Sequence, residues 1–342
     1  MDFVFTICSN NYLSQAIVLG NSLKLHEPRF CFLIALVDEK DNRIDYDSIP
    51  FEVLPVNLII PDFDELAQKY NIIELNTSVK PGVIEFLFLK RSAGTVIYLD
   101  PDIRVFAPFT ELEEAFSQYG IVLTPHIYTP IPLDGKIPSE NLFLNYGIYN
   151  LGFLGLKNGG ETLKFLKWWK ERTYSLGYIR ISEGLFVDQL PVNLVPLFFN
   201  NVGILKCMGY NMAPWNLHER YLSRVNGEYF VNDREKLRFF HFSSFIIDSG
   251  ELSVPFYNRF NLKERPDLKE IYEQYNEELK SAGYFFYSGF KCSYMAKKEI
   301  VLAQDKLNSW KKKSALRRMA IRAVRLFPDS LKKGLAKFGH LE

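Results

Sequence analysis

The chain is poor in cysteine, and its four cysteines never pair at metal-ligand spacing. Cys8, Cys31, Cys207 and Cys292 are scattered over 342 residues, and no CxxC occurs. A zinc knuckle and a disulfide framework are both excluded, and a reduced compartment is the simplest expectation. Long apolar runs are also missing. None approaches the roughly 18 residues that a membrane span needs, and the longest, such as Cys31–Val37, have strand length. Met1-Asp2-Phe3 carries no basic segment ahead of an apolar one, so no secretory signal is expected. Internal repeats and low-complexity segments are absent from the sequence. Net charge is nearly absent too: Lys+Arg 41 against Asp+Glu 40 leaves +1. That balance argues against a nucleic-acid partner. Apolar residues are plentiful at 47%, with aromatics at 15%. This composition excludes wholesale disorder and a fibrous repeat, and predicts a sizeable, bulky core.

Two periodicities alternate through the first 250 residues. Phe3–Cys8, Cys31–Val37, Thr95–Leu99 and Gly120–Thr124 read as buried strands. Tyr12–Leu25, Asp62–Tyr70, Thr77–Lys90 and Glu161–Tyr174 read as helices. Ser9 or Asn10 is placed to cap the first helix, and Thr110-Glu111-Leu112-Glu113 has the form of a capping box. Tyr146–Leu156 reads as extended and glycine-punctuated. Strands alternating with helices predict parallel βαβ units in an α/β fold. Beyond about residue 260 the chain becomes charged and helical, with helices expected over Leu262–Ala282 and Lys297–Arg325. The expected division is residues 1–260 as an α/β domain and 261–342 as a helical region.

The segment that carries chemistry is Val96-Ile97-Tyr98-Leu99-Asp100-Pro101-Asp102. A buried strand runs into two carboxylates one residue apart. Open α/β sheets bind ligands at the carboxyl ends of their strands. Two carboxylates there can approach one hard cation, and Pro101 stiffens the pair. The bland alternative is an acidic turn. His241, in a second aromatic strand, would complete a set of two carboxylates and an imidazole, which suits Mn²⁺ better than Ca²⁺; otherwise it is a core histidine. Asp188-Gln189 would bond sugar hydroxyls or cap a helix. Asn150 is a polar group in a glycine-punctuated strand, where backbone can approach a ligand closely or simply bulge. Trp215 would line an acceptor site or pack beneath a loop. Trp168-Trp169, at helical spacing, reads as packing.

Taken in order, these segments resemble the GT-A glycosyltransferases, and most closely glycosyltransferase family 8, over roughly residues 1–245. Ser9-Asn10-Asn11-Tyr12 looks like the loop that holds the nucleotide base, and Ala16 through Ser22-Leu23 the following helix. Tyr98-Leu99-Asp100-Pro101-Asp102 matches the YLDxD segment that binds Mn²⁺ and the nucleotide diphosphate. Tyr149-Asn150-Leu151-Gly152-Phe153 resembles the FNAG segment near the sugar. Asp188-Gln189 matches the DQ pair, and His241-Phe242 the HF pair whose histidine is the third metal ligand. The chain departs from the family twice. The helix before YLDxD offers no arginine at Pro81–Phe86, and Lys80 stands in for it. In the HFxGxxKPW segment Ser244 replaces glycine, and the lysine is missing.

The resemblance implies a GT-A (Rossmann-like) domain with a C-terminal helical extension. It implies a retaining hexosyltransferase that moves a hexose from a UDP-sugar to a saccharide or lipid-linked glycan acceptor in bacterial surface polysaccharide synthesis. Asp100, Asp102 and His241 would hold Mn²⁺ or Mg²⁺. Ser9, Asn10, Tyr12, Lys80, Asp100, Asp102 and Asn150 would contact the donor, with Asp188 and Gln189 at the reacting sugar. Two rivals remain. A non-catalytic nucleotide-sugar or glycan-binding protein would tolerate the missing cations. A phosphatase of the haloacid dehalogenase type would want Thr or Val where Arg104 stands.

The neutral total conceals an asymmetry. From Asn308 onward ten Lys/Arg face only Asp329 and Glu342, a net +8, while residues 1–307 carry 31 basic against 38 acidic groups, a net −7. In Ser314–Phe327 an apolar face opposes Arg318, Arg322 and Arg325, the pattern of an interfacial helix on anionic lipid. Residues 311–338 are therefore expected to hold the chain on the inner face of the cytoplasmic membrane, as a peripheral cytoplasmic protein.

Overall fold

The computed structural model describes residues 1–249, 251 and 257–299. The chain divides into two compact units, Met1–Ser293 and Tyr294–Glu342. The tail over 311–338, and most of the helix expected at Lys297–Arg325, lie outside the described residues.

The first unit is α/β, as the alternating periodicities predict. β1 (Phe3–Cys8) is buried along its whole length and pairs in parallel with β2 (Cys31–Leu36). Continuous apolar strands of this kind belong to sheets covered on both faces. Between them lie a 3-10 turn, Asn10–Tyr12, and α1 (Leu13–His26). β3 (Glu52–Pro55) extends the sheet beyond β2. Three helices follow: α2 (Phe63–Lys69), α3 (Ile72–Ser78) and α4 (Lys80–Lys90). The sequence suggested one helix over Thr77–Lys90. It is two, because Pro81 in the first turn of α4 has no N–H to continue the ladder of α3.

β4 (Thr95–Leu99) returns beside β1. β5 (Ile103–Val105), α5 (Thr110–Gln118), β6 (Ile121–Leu123), α6 (Glu140–Tyr146), β7 (Phe153–Lys157) and α7 (Gly160–Leu176) come next. β8 (Ile179–Arg180) and β9 (Leu185–Phe186) pair as a hairpin, followed by α8 (Val195–Phe198) and β10 (Val202–Ile204). The main sheet has the order β10-β6-β7-β4-β1-β2-β3. It is not wholly parallel: β7 runs against both β4 and β6. That reversal brings the start of β7 to the edge where β1 and β4 end. The extended reading of Tyr146–Leu156 is thus only half right, since α6 occupies its first residue and a turn precedes the strand.

β11 (Leu222–Val225), β12 (Glu228–Val231) and β13 (Glu235–Lys236) form a small antiparallel sheet. β14 (Phe239–His241) pairs antiparallel with β5, setting His241 opposite Ile103. α9 (Lys269–Ser281) and α10 (Tyr284–Tyr287) complete the first unit. Ile271, Tyr272, Tyr275 and Leu279 of α9 pack with Phe240 and Phe242 in one core cluster. The compositional change at residue 260 therefore falls inside a compact unit that runs to Ser293.

Both expected caps differ from those observed. α1 begins after Tyr12 with no side-chain cap, because the preceding 3-10 turn uses Ser9 and Asn10. Phe109 is the residue flanking α5, and its N–H is taken by the Glu27 carboxylate. The Thr110 hydroxyl instead accepts from Arg238 at 2.8 Å.

Candidate active site at the edge of the central sheet

β4 delivers Asp100 and Asp102, and β14 delivers His241. The β5–β14 register places His241 beside the turn that carries both carboxylates, and Phe242 N–H donates to Asp102 O at 2.9 Å. His241 Nε2 lies 3.0 Å from Asp102 Oδ1 and 3.7 Å from Asp100 Oδ2. One ligand atom from each of the three residues falls within 4.8 Å of the others. The Tyr98 hydroxyl donates to Asp100 Oδ1 at 2.5 Å. Burial raises the Asp100 carboxyl above its ordinary range, and the Asp102 charge adds to this, while Lys80 and His241 oppose it. Burial pulls the His241 imidazole down, but Asp102 and Asp100 outweigh it and leave the ring above its ordinary value. Two crowded carboxylates and one imidazole form a hard, mixed O/N donor set. These three residues fit a divalent ion.

Lys80, from the first turn of α4, reaches the same place. Its Nζ lies 2.6 Å from Asp188 Oδ2, and both side chains are only 2% exposed. The ammonium also donates to Leu151 O at 2.9 Å and sits 4.0 Å from the centre of the Tyr98 ring. Lys80 is thus a buried ion-pair partner rather than an open, phosphate-facing cation. Burial raises the Asp188 carboxyl, with Lys80 opposing. Trp169 Nε1 donates to Asp188 O at 2.8 Å, which makes the expected packing role of that tryptophan concrete. Gln189 spans the turn before β7: its Oε1 accepts from Leu151 N–H at 2.9 Å, and its Nε2 donates to Tyr146 O at 2.8 Å.

Asn150 faces inward. Its Oδ1 accepts from Gly152 N–H at 3.1 Å and Asn211 Nδ2 at 2.9 Å, and its Nδ2 lies 3.1 Å from His126 Nε2. The loop after β1 borders the cluster, because β1 is the neighbour of β4. Within it, Ser9 Oγ donates to Asn11 Oδ1 at 2.7 Å. Asn10 N–H donates to Asp38 at 3.3 Å, and its amide bonds Glu39 O and the Tyr46 hydroxyl. Tyr12 stays 44% exposed. Burial and then the charge of Asp102 raise its hydroxyl. The structure therefore gathers Asp100, Asp102, His241, Lys80 and Asp188, with Tyr12 at the border, and gives Ser9, Asn10, Asn150 and Gln189 internal partners.

Sequence reasoning gave no role to His126, Asn211 or the Tyr98 hydroxyl, and of its two readings of Trp215 the packing one holds. That tryptophan is 5% exposed and packs edge-on to His241 at 5.0 Å, so it offers no open stacking face. Its nearness in sequence to the β14 strand was the available signal.

No protein-family model matches the chain. The uncharacterized proteins YfnF and YfnD of Bacillus subtilis (strain 168) are similar to it. YfnF is 25% identical over 282 residues, spanning 80% of this chain and 90% of YfnF. YfnD is 22% identical over 287 residues, spanning 80% and 88%. Among solved structures, galactosyltransferase LgtC in complex with donor and acceptor sugar analogs aligns with a TM-score of 0.46 at 16% identity, covering 87% of this chain and 100% of that one. The glycosyltransferase GlyE of Streptococcus pneumoniae TIGR4 aligns at 0.43 and 14%, covering 82% and 63%. Mouse xyloside xylosyltransferase 1 aligns at 0.42 and 12%, covering 70% and 97%. What these side chains can do in this chain follows from their geometry.

Proposed function

We propose that the chain is a metal-dependent glycosyltransferase that takes a hexose from a nucleotide diphosphate sugar, UDP-hexose in the first instance, to a saccharide or lipid-linked glycan. The observation that carries this is the Asp100–Asp102–His241 cluster at the carboxyl edge of β4, beside the loop after β1. A divalent ion held there supplies positive charge against the departing diphosphate.

The chain's own groups support a retaining, same-face reaction. A double displacement needs a free carboxylate below the anomeric carbon. Asp188 is paired with Lys80 at 2.6 Å and only 2% exposed, and the Gln189 oxygen already accepts from Leu151 N–H. In the same-face reaction the bond from C1 to the diphosphate oxygen breaks as the acceptor hydroxyl oxygen bonds C1. The hydroxyl proton passes to the departing phosphate. Asp188 and Lys80 act as one rigid unit that holds Leu151 and the turn before β7 against the sugar. Tyr98 orients Asp100 through its 2.5 Å hydrogen bond.

One observation favours the binder reading: Lys80 is engaged by Asp188 rather than free for phosphate. A hydrolysis screen of UDP-sugars with Mn²⁺, run with wild type, Asp100→Ala and Asp102→Ala, separates the two. Slow hydrolysis of one donor, lost in both variants, supports the transferase. Binding without hydrolysis leaves the binder, and attack on phosphate monoesters contradicts both.

The basic residues of 311–338 would hold the protein on an anionic membrane, near lipid-linked acceptors. Among the described residues no helix is long and apolar enough to cross a membrane. Liposome flotation of the full chain against a chain ending at Asn308 tests this. Equal flotation removes the anchor.

A further inference from the structure

Behind the cluster, five residues close a ring. Gly152 is its hub. A Cβ at this position would stand 2.6 Å from His241 Cε1 and 2.8 Å from His241 Nδ1, so only glycine lets the imidazole lie against this backbone. The Gly152 carbonyl accepts from Asp100 N–H at 2.8 Å, which ties a second cluster residue to the same peptide. Its N–H donates to Asn150 Oδ1 at 3.1 Å. Asn150 Nδ2 meets His126 Nε2 at 3.1 Å; an amide nitrogen only donates, so His126 accepts there. The His126 ring packs on Trp215 at 5.4 Å and 67°, and Trp215 packs on His241 at 5.0 Å and 81°. Asn150, His126, Trp215 and His241 are each no more than 8% exposed.

The backbone that presents Trp215 is fixed independently. His241 N–H donates to Met212 O at 2.8 Å. Asn216 accepts from Ala213 N–H at 2.9 Å and donates to His126 O and Asn211 O at 3.1 and 2.9 Å. The Trp215 ring thus lies between two histidines on a backbone that these bonds fix.

Metal-binding histidines are usually oriented by a hydrogen bond to the second ring nitrogen. Among the described residues His241 Nδ1 has no such partner, and neither does Trp215 Nε1. Apart from the Nε2 contact to Asp102, the imidazole is oriented by packing against Gly152 and the Trp215 ring.

We infer that Trp215 and His126 are positioning residues for the Asp100–Asp102–His241 site, aiming the His241 imidazole through this ring. The inference rests on the metal reading above. Neither residue touches the reacting atoms.

The test is Mn²⁺ binding alone, by electron paramagnetic resonance or calorimetry, on the full chain. Loss of an outer support of a metal ligand weakens binding by about 10–100-fold. Trp215→Ala is expected near the lower end of that range, and Trp215→Phe, which restores an aromatic wall, within about 3-fold of wild type on the same scale. In metal-free protein the His241 ring resonances should shift in Trp215→Ala and return in Trp215→Phe. If Trp215→Ala does not fold, His126→Leu gives the reading, since it removes the acceptor for Asn150 and one wall of Trp215 while leaving an apolar side chain against Phe143. Wild-type affinity in whichever variant folds overturns the inference. A wild-type protein that takes no Mn²⁺ overturns the metal reading itself, and with it this one; the two failures appear in different titrations.

Discussion

Removing the Asp188 carboxylate leaves Lys80 as an uncompensated buried cation. Breaking such a pair from one side costs about 3–5 kcal/mol, because the remaining charge cannot return to water. Lys80 would keep Leu151 O at 2.9 Å, the Tyr98 ring at 4.0 Å and the attraction of the Asp100 carboxylate. A desolvated cation over an aromatic face retains about 2 kcal/mol or more. The lower end, about 3 kcal/mol, is therefore expected for Asp188→Ala. Each kcal/mol shifts Tm by about 2–4 °C in a domain of this order of size, so the midpoint should fall by about 6–12 °C. The apolar pair Lys80→Met with Asp188→Leu removes both charges at once. It should recover most of that loss, since well-packed apolar replacements of buried pairs are often neutral or stabilising. Thermal unfolding followed by tryptophan fluorescence reads both variants, and Trp169 reports locally because its Nε1 donates to Asp188 O. An Asp188→Ala protein that unfolds at the wild-type midpoint would refute the buried pair.

Two further outcomes follow from single residues. Burial pushes the His126 imidazole down to about 3, below the roughly 6.5 of an unfolded histidine. The folded state therefore fails to take up a proton that the unfolded state takes, and stability drops as pH falls from about 6.5 towards 3. Relative to His126→Gln the slope should be about 1.4 kcal/mol per pH unit, measured by urea unfolding across that window; a flat difference contradicts a buried neutral ring. Ser244 holds φ +57°, a left-handed conformation that costs a non-glycine residue about 1–2 kcal/mol. Ser244→Gly should raise stability by about 1 kcal/mol or slightly less, since glycine also gains freedom in the unfolded chain; destabilisation would show that the hydroxyl does more than occupy the turn.

The sequence revealed most where chemistry is local. β4 runs over Thr95–Leu99 as its apolar pattern predicts, and the carboxylates follow at once. Asp100 and Asp102 are adjacent by covalent geometry, so their pairing needed no fold. His241 was legible as a candidate because one histidine stands out in an aromatic strand. Its closeness to Asp102 is a consequence of β5–β14 register, which spacing alone cannot supply. The Lys80–Asp188 pair joins residues 108 positions apart in number, and nothing in either neighbourhood announces the other. The ring through Asn150, His126 and Trp215 has the same character. Asn150 stands in a segment that resembles one near the sugar, while two of its three internal partners, His126 and Asn211, are residues that nothing in its own neighbourhood announces. The antiparallel β7 was hidden because a central strand is equally apolar in either direction, and only the turn after α6 sets its sense.

The measurement that tests the account most directly is UDP binding by calorimetry with Mn²⁺ and then with excess chelator. Two crowded carboxylates should repel a diphosphate when no metal is present, since the Lys80 ammonium beside them is already paired with Asp188. Wild-type protein is expected to bind UDP with Mn²⁺, to lose at least about 10-fold in affinity with chelator, and to show the same loss with Mn²⁺ present in Asp102→Asn. Equal UDP affinity with and without metal, in wild type and in Asp102→Asn alike, would contradict a metal-assembled donor site.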